Sequence, residues 1–311
     1  MKRRKTAGVW EPDADPMFFF AGLTYRANIF SHDPRVPALL AVNDIAQTGS
    51  PLKRSNTAWQ QVLRSLDAGQ PFFLDSGVFN LTNEHMRAHG ITMDEALSLA
   101  PSEIDNFDWL FDTYVEILRE ISDQLWGYVE IDQGGMDNKE ATRRRLQAAG
   151  LEPIPVYHPL NDGWEYFDTL ASNYDRMCIG NLVQASPNIR DRIITTVTER
   201  LKDYPPTWTH FLGVTPSTVQ WAQPMCSADS SSYSYGWRTP DGAKVQAMGN
   251  RRWSMPIGFR SELRSESDLP QDEWRKRYKR DAEVQIVDQH MSMMGMADWY
   301  EQMRNLGVPN Y

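Results

Sequence analysis

Eight short apolar runs, each ending in polar residues and separated by stretches of helical periodicity, constrain this chain more than any other feature. They are Phe18 to Leu23, Leu39 to Asp44, Phe72 to Asp75, Tyr128 to Asp132, Ile154 to His158, Met177 to Gly180, His210 to Val214 and Met225 to Asp229. Continuous apolar runs of this length are the mark of strands buried on both faces, and their alternation with amphipathic helices is the pattern of βα units in a parallel sheet. Eight such units in 311 residues fit a single (β/α)8 TIM barrel. An open doubly wound sheet is the competing architecture, because eight parallel strands do not by themselves close a sheet.

The helical stretches carry their own punctuation. Lys139 to Ala149 reads as a helix opened by an Asp137-x-x-Glu140 capping box and closed by Gly150. Ile189 to Leu201 reads as another, stopped by Pro205 and Pro206. The span from Leu81 to Gln124 is too long for one crossover helix, and its second half repeats Leu110, Tyr114, Ile117, Leu118 and Ile121 at helical spacing. Residues 81–124 are therefore expected to form an insertion after the third strand. Residues 1–16 read as a polar arm, and 17–311 as one catalytic domain whose C-terminal part, 239–311, is a helical extension running through His290 and Trp299.

Composition narrows the functional classes. With 41% hydrophobic and 23% charged residues the chain has an ordinary globular make-up, and no apolar run approaches the roughly 20 residues of a membrane-spanning helix. The basic start lacks the apolar core of a secretory signal, so a cytoplasmic setting is expected. Cys178 and Cys226 are too few and too far apart for a disulfide framework or a cysteine zinc cluster. No metal and no cofactor are expected, since a Gly-rich phosphate loop and a dinucleotide fingerprint are also missing. The net charge is −9, yet residues 251–280 interleave Arg275, Lys276, Arg277 and Lys279 with Trp253, Phe259, Trp274 and Tyr278. Such a stretch serves equally as a solvated helix face or as a grip on a phosphate backbone.

In a parallel barrel the active site lies at the C-terminal ends of the strands. Asp75, Asp132, His158, Gly180 with Asn181, and Asp229 all stand at such ends. One aspartate at a strand–helix boundary is commonly a helix cap, but three that converge would make a site. His158 reads either as a donor to a bound base or phosphate, or as a histidine satisfied by backbone. His210 begins its run, which favours a structural role. Phe79, Tyr233, Tyr235 and Trp237 are candidates for stacking on a base, or for packing.

The segment FFLDSGVF resembles the DSG-aromatic motif of the tRNA-guanine transglycosylases. The ordered set VEID, IPVYH, IGN, HFLGVTP and DSSS is similar to the shorter phage and bacterial DpdA-like enzymes that place 7-deazaguanines in DNA. The resemblance spans about residues 17 to 238. It implies Asp229 as nucleophile, Asp75 as the group that manages protons, and Asp132 as the reader of the guanine edge. It implies further that Ser76 and Gly77 lie at the turn beneath the base, with Gly180 and Asn181 near its exocyclic groups. The chain departs from the tRNA enzymes at Val78 and Asn80 after DSG, in IPVYH where they carry Gln-Gly-Gly, and in having no Cys-rich zinc site.

The implied reaction exchanges guanine in a polynucleotide, DNA before tRNA, for a 7-deazaguanine such as 7-cyano-7-deazaguanine. An aspartyl-glycosyl ester is the intermediate, as in retaining glycosidases. A target base in DNA must be flipped out of its stack or met in a single strand. The competing functions are a barrel glycosidase or base-excising hydrolase using the same carboxylates, a tRNA-directed transglycosylase, and a nucleic-acid-binding subunit without turnover.

Overall fold

The structure, a computed structural model, describes residues 3–8, 17–21, 37–214 and 226–230. Each of the eight apolar runs overlaps a strand: β1 (Met17–Ala21), β2 (Ala38–Ala41), β3 (Phe72–Asp75), β4 (Gly127–Tyr128), β5 (Val156–Tyr157), β6 (Arg176–Ile179), β7 (Trp208–Phe211) and β8 (Cys226–Ser230). They form one sheet in the order β4-β3-β2-β1-β8-β7-β6-β5, with every pairing parallel. Eight α-helices accompany them among the described residues: α1 (Val42–Ile45), α2 (Thr57–Asp67), α3 (Val78–His89), α4 (Met93–Ser98), α5 (Phe107–Ile121), α6 (Gly135–Ala148), α7 (Trp164–Asn173) and α8 (Pro187–Leu201). The fold is thus mixed α/β on a parallel sheet, and about half of the described residues are helical.

Side chains alternate across a strand, so strands such as β2, β3, β5, β6 and β7 contribute to two clusters. Ala38, Leu40, Phe72 and Leu74 point outward and pack with Tyr114, Ile117, Leu118 and Ile121 of α5, the residues whose spacing foretells that helix. Phe19, Leu39, Phe73, Val156, Cys178 and Trp208 form a second cluster on the other face. Contacts within it span the sheet: the rings of Phe73 on β3 and His210 on β7 lie 4.5 Å apart. These strands are four steps apart in the sheet, which at roughly 4.8 Å per step would separate them by about 19 Å were it flat. The sheet is therefore strongly curled. Beyond its two terminal strands, Val129 and Ile154 form a parallel bridge, with Glu130 N–H donating to Ile154 O at 2.9 Å and Ile154 N–H to Tyr128 O at 2.8 Å.

One local expectation is corrected. Helix α6 starts at Gly135, two residues before Asp137, with left-handed Gly134 at its N-cap, so no Asp137 capping box opens it. Glu140 pairs instead with Arg144 one turn on, at 2.8 Å. Gly150 does close the helix: it adopts φ 82°, and the N–H groups of Gly150 and Leu151 return to the carbonyls of Gln147 and Leu146. Residues 3–8 of the N-terminal arm are docked. Arg4 N–H donates to Asn173 O and Ala7 N–H to Glu152 O, while Thr6 Oγ1, Ala7 O and Trp126 O accept from the fully buried Arg176. A buried guanidinium needs such acceptors, which explains why a polar segment packs there. Among the described residues no helix is long and apolar enough to cross a membrane.

Candidate active site

The C-terminal ends of the strands surround a cavity of about 420 Å3, within the range that takes a small-molecule group. Asp75, Asp132 and Asp229 all line it, together with Gly77, Phe79, Asn80, His158, Gly180 and Asn181. The three acidic side chains, separated by as much as 154 positions in sequence, thus face one compartment. Asp44, which ends the second apolar run, is a fourth carboxylate in the lining, and Gln133 lies beside Asp132. Neither was singled out in the sequence, although Asp44 satisfies the same strand-end rule as the others. No lysine or arginine occurs among the described residues of the lining. The described lining suits a group that is positively charged or rich in hydrogen-bond donors.

Each carboxylate is held differently. Asp75 is the last residue of β3, and its Oδ1 accepts the N–H of Gly77 at 2.6 Å, the local turn that Asp forms with the residue two ahead. That turn requires φ 80° at Gly77, where a Cβ would come within 2.0 Å of Asn43 Oδ1. Burial, aided by the charges of Asp132, Asp229 and Asp44, raises the Asp75 carboxyl to about 7 against the Gly77 hydrogen bond. Ser76, the next residue, points the other way: it is fully buried, its Oγ accepts Val78 N–H at 3.3 Å, and it does not reach the cavity.

Desolvation works to raise Asp132, but the hydrogen bond and charge of His158 and the charge of Lys139 outweigh it and hold this carboxyl below its ordinary range. His158 Nε2 lies 2.7 Å from Asp132 Oδ2. The partner of this imidazole is therefore a carboxylate, and its backbone N–H donates to Asp162 Oδ2 at 2.7 Å. Asp162 also takes the buried Lys139 ammonium. Gly180 lies against the His158 ring, and a Cβ there would come within 2.8 Å of Cδ2 and 2.9 Å of Nε2. Asn181 adopts φ 64°, a left-handed turn that Asn tolerates, and its amide donates to Asn161.

Asp229, near the end of β8, is fixed by two donors on one oxygen: Gly213 N–H at 2.9 Å and His210 Nε2 at 3.3 Å. His210 Nδ1 in turn meets Ser227 Oγ at 2.8 Å, and Ser227 Oγ accepts from Trp208 Nε1 at 2.9 Å. A neutral imidazole against an ionised Asp229 has one consistent direction, in which the Ser227 hydroxyl donates to Nδ1 and Nε2–H donates to Asp229. His210 is thus more than core packing. Its position early in the seventh run concealed this: β7 and β8 are neighbours, and their register sets His210 opposite Ser227, two residues before Asp229 on the same face. Asp229 Oδ2 and Asp75 Oδ2 have no hydrogen-bond partner among the described residues, so each acid offers a free oxygen.

Arg275, Lys276, Arg277 and Lys279, proposed from sequence to meet nucleic acid, lie outside the described residues, as do Tyr233, Tyr235 and Trp237. No known family's sequence profile matches the chain, and no curated protein matches it.

Proposed function

We propose that the chain is a closed (β/α)8 barrel that exchanges guanine in DNA for a 7-deazaguanine base by way of an aspartyl-glycosyl ester. Barrel closure is supported by the Val129–Ile154 bridge between the two terminal strands and by the ring contact between β3 and β7. The observation that carries the functional reading is the convergence of Asp75, Asp132 and Asp229 on one cavity at the C-terminal strand ends. Both buried cysteines are free, which supports a reducing cytoplasm.

The chemistry follows from how the acids are held. The free oxygen of Asp229 attacks C1′ as the C1′–N9 bond breaks, and the surrounding negative charge favours the oxocarbenium-like state between. Asp75, with its carboxyl raised to about 7, is partly protonated at neutral pH and gives its proton to the departing N9. The incoming deazaguanine returns a proton to Asp75 as its own N9 attacks C1′ and releases Asp229. The proton ledger is then balanced. Asp132, kept ionised by His158, remains an acceptor for the N1–H and N2–H donors that distinguish guanine from adenine. Phosphates stay outside this acidic cavity, so the nucleotide has to enter base-first from a flipped or single-stranded position.

The test follows label from guanine-labelled DNA and tRNA, each with and without 7-cyano-7-deazaguanine. Multiple-turnover release from DNA only when the incoming base is present, with at most one equivalent of guanine per chain in its absence, is the expected result. Multiple turnovers without it identify a hydrolase, release from tRNA alone overturns the polymer assignment, and no release from either overturns the reading. A finer check is Gly180→Ala, whose methyl group displaces the His158 ring from Asp132. Affinity for the free deazaguanine is expected to fall about tenfold or more while the fold persists. Unchanged affinity would remove His158 from the account of base recognition.

A further inference from the structure

Away from the cavity, at the last turn of α3, His85 and His89 stand one helical turn apart with Asp105 of the loop before α5 facing both. His85 Nδ1 lies 3.0 Å and His89 Nε2 2.8 Å from the same atom, Asp105 Oδ2. The two imidazole rings stack at 4.1 Å. Among the described residues this is the only set of three His, Cys, Asp or Glu whose ligand atoms all fall within 4.8 Å of one another.

We propose that this set binds a divalent cation of the borderline class, Zn2+ or a similar ion such as Co2+, as a structural clamp between α3 and the loop leading into α5. Two imidazoles and one carboxylate are the donors such ions prefer, and two histidines four residues apart on a helix share one face. The backbone N–H of Asp105 also lies 3.3 Å from His85 Nδ1, a long contact that an ion at that nitrogen replaces.

The donors are held in place before any ion arrives. His85 is buried, Gly90 ends α3 in a left-handed turn, and Asp105 sits between the 3-10 turn Pro101–Glu103 and left-handed Asn106. Glu103 caps Ala100 N–H at 2.7 Å and stiffens that turn. No cysteine belongs to this set, so the scarcity of cysteines in the sequence does not bear on it. The first turn of α3 carries Val78, Phe79, Asn80 and Thr82 into the cavity wall, so the clamp would steady the helix that walls the candidate active site.

The experiment strips the full-length protein with a chelator, titrates it with Zn2+ by calorimetry, and follows Co2+ by its visible absorption. One ion per chain at this site is expected, with a rise in Tm on Zn2+ addition. His89→Ala and Asp105→Asn change exposed groups and leave the fold intact. Each is expected to weaken binding at least tenfold, since even loss of an outer partner costs a metal site roughly 10- to 100-fold, and to abolish the Tm rise. Binding that persists unchanged in both variants places the ion elsewhere and overturns the proposal. So does the absence of any binding by the native chain, which would leave the imidazoles merely sharing protons with Asp105.

Discussion

Asp229→Asn is expected to lower base exchange by a factor on the order of 10^4 or more, the scale on which removal of a covalent nucleophile acts. The substitution is close to isosteric, and the amide oxygen can still accept the Gly213 N–H and the His210 Nε2–H that hold Asp229 Oδ1. What it loses is the negative charge and the free oxygen that attacks C1′. The native protein, denatured after reaction with an oligonucleotide and without an incoming base, should carry a covalent adduct visible by mass. The variant should carry none. Exchange within about tenfold of native in the variant would show that no ester forms at this position, and the role of the whole Trp208–Ser227–His210 chain would have to be sought elsewhere.

Asp75→Asn is expected to abolish exchange while making the protein more stable. The folded carboxyl is raised from 3.8 to about 7, chiefly by burial. Between these values the folded state holds a proton that the unfolded chain releases, so stability is greatest at low pH and declines as pH rises toward 7. Ionising Asp75 at pH 8 costs about 2–4 kcal/mol, an order-of-magnitude figure from a shift of roughly three units. Asparagine removes that cost and keeps the oxygen that accepts Gly77 N–H. Urea unfolding should therefore show the variant more stable than native at pH 8, with the gap closing near pH 4. Glu130, raised to about 7 by its burial despite Arg143, imposes the same trend on both proteins, and the difference between them isolates Asp75. Native kcat/KM should bend near pH 7, where this group passes between acid and base. A variant that is less stable at pH 8 would mean the carboxylate is held favourably as an anion, which is incompatible with its delivering a proton to the leaving base.

Much of the frame was legible. The run Phe72 to Asp75 matches β3 residue for residue, and the apolar spacing through Ile121 foretold the buried face of α5. The fourth and fifth runs were less well bounded: only Gly127–Tyr128 and Val156–Tyr157 are strands, and beyond them Val129 and Ile154 are joined by an isolated bridge. Asp137 misled because a capping motif is local, whereas two glycines in left-handed conformation had already started the helix at Gly135. The Ser76 side chain is buried away from the cavity that Asp75 lines, since adjacent side chains at a strand end face opposite ways.

By itself the sequence determined where strands and helices lie, and that Asp75, Asp132, His158 and Asp229 stand at strand ends, because burial periodicity and terminating residues are written over a few consecutive positions. Tertiary structure alone decided which of these groups share a compartment. It brought Asp44 into the lining, paired His158 with Asp132, slid His210 beneath Asp229, and set Asp105 against two histidines. Such meetings depend on strand order and on the curl of the sheet, and contacts between segments tens of residues apart leave no mark on the local pattern of either one.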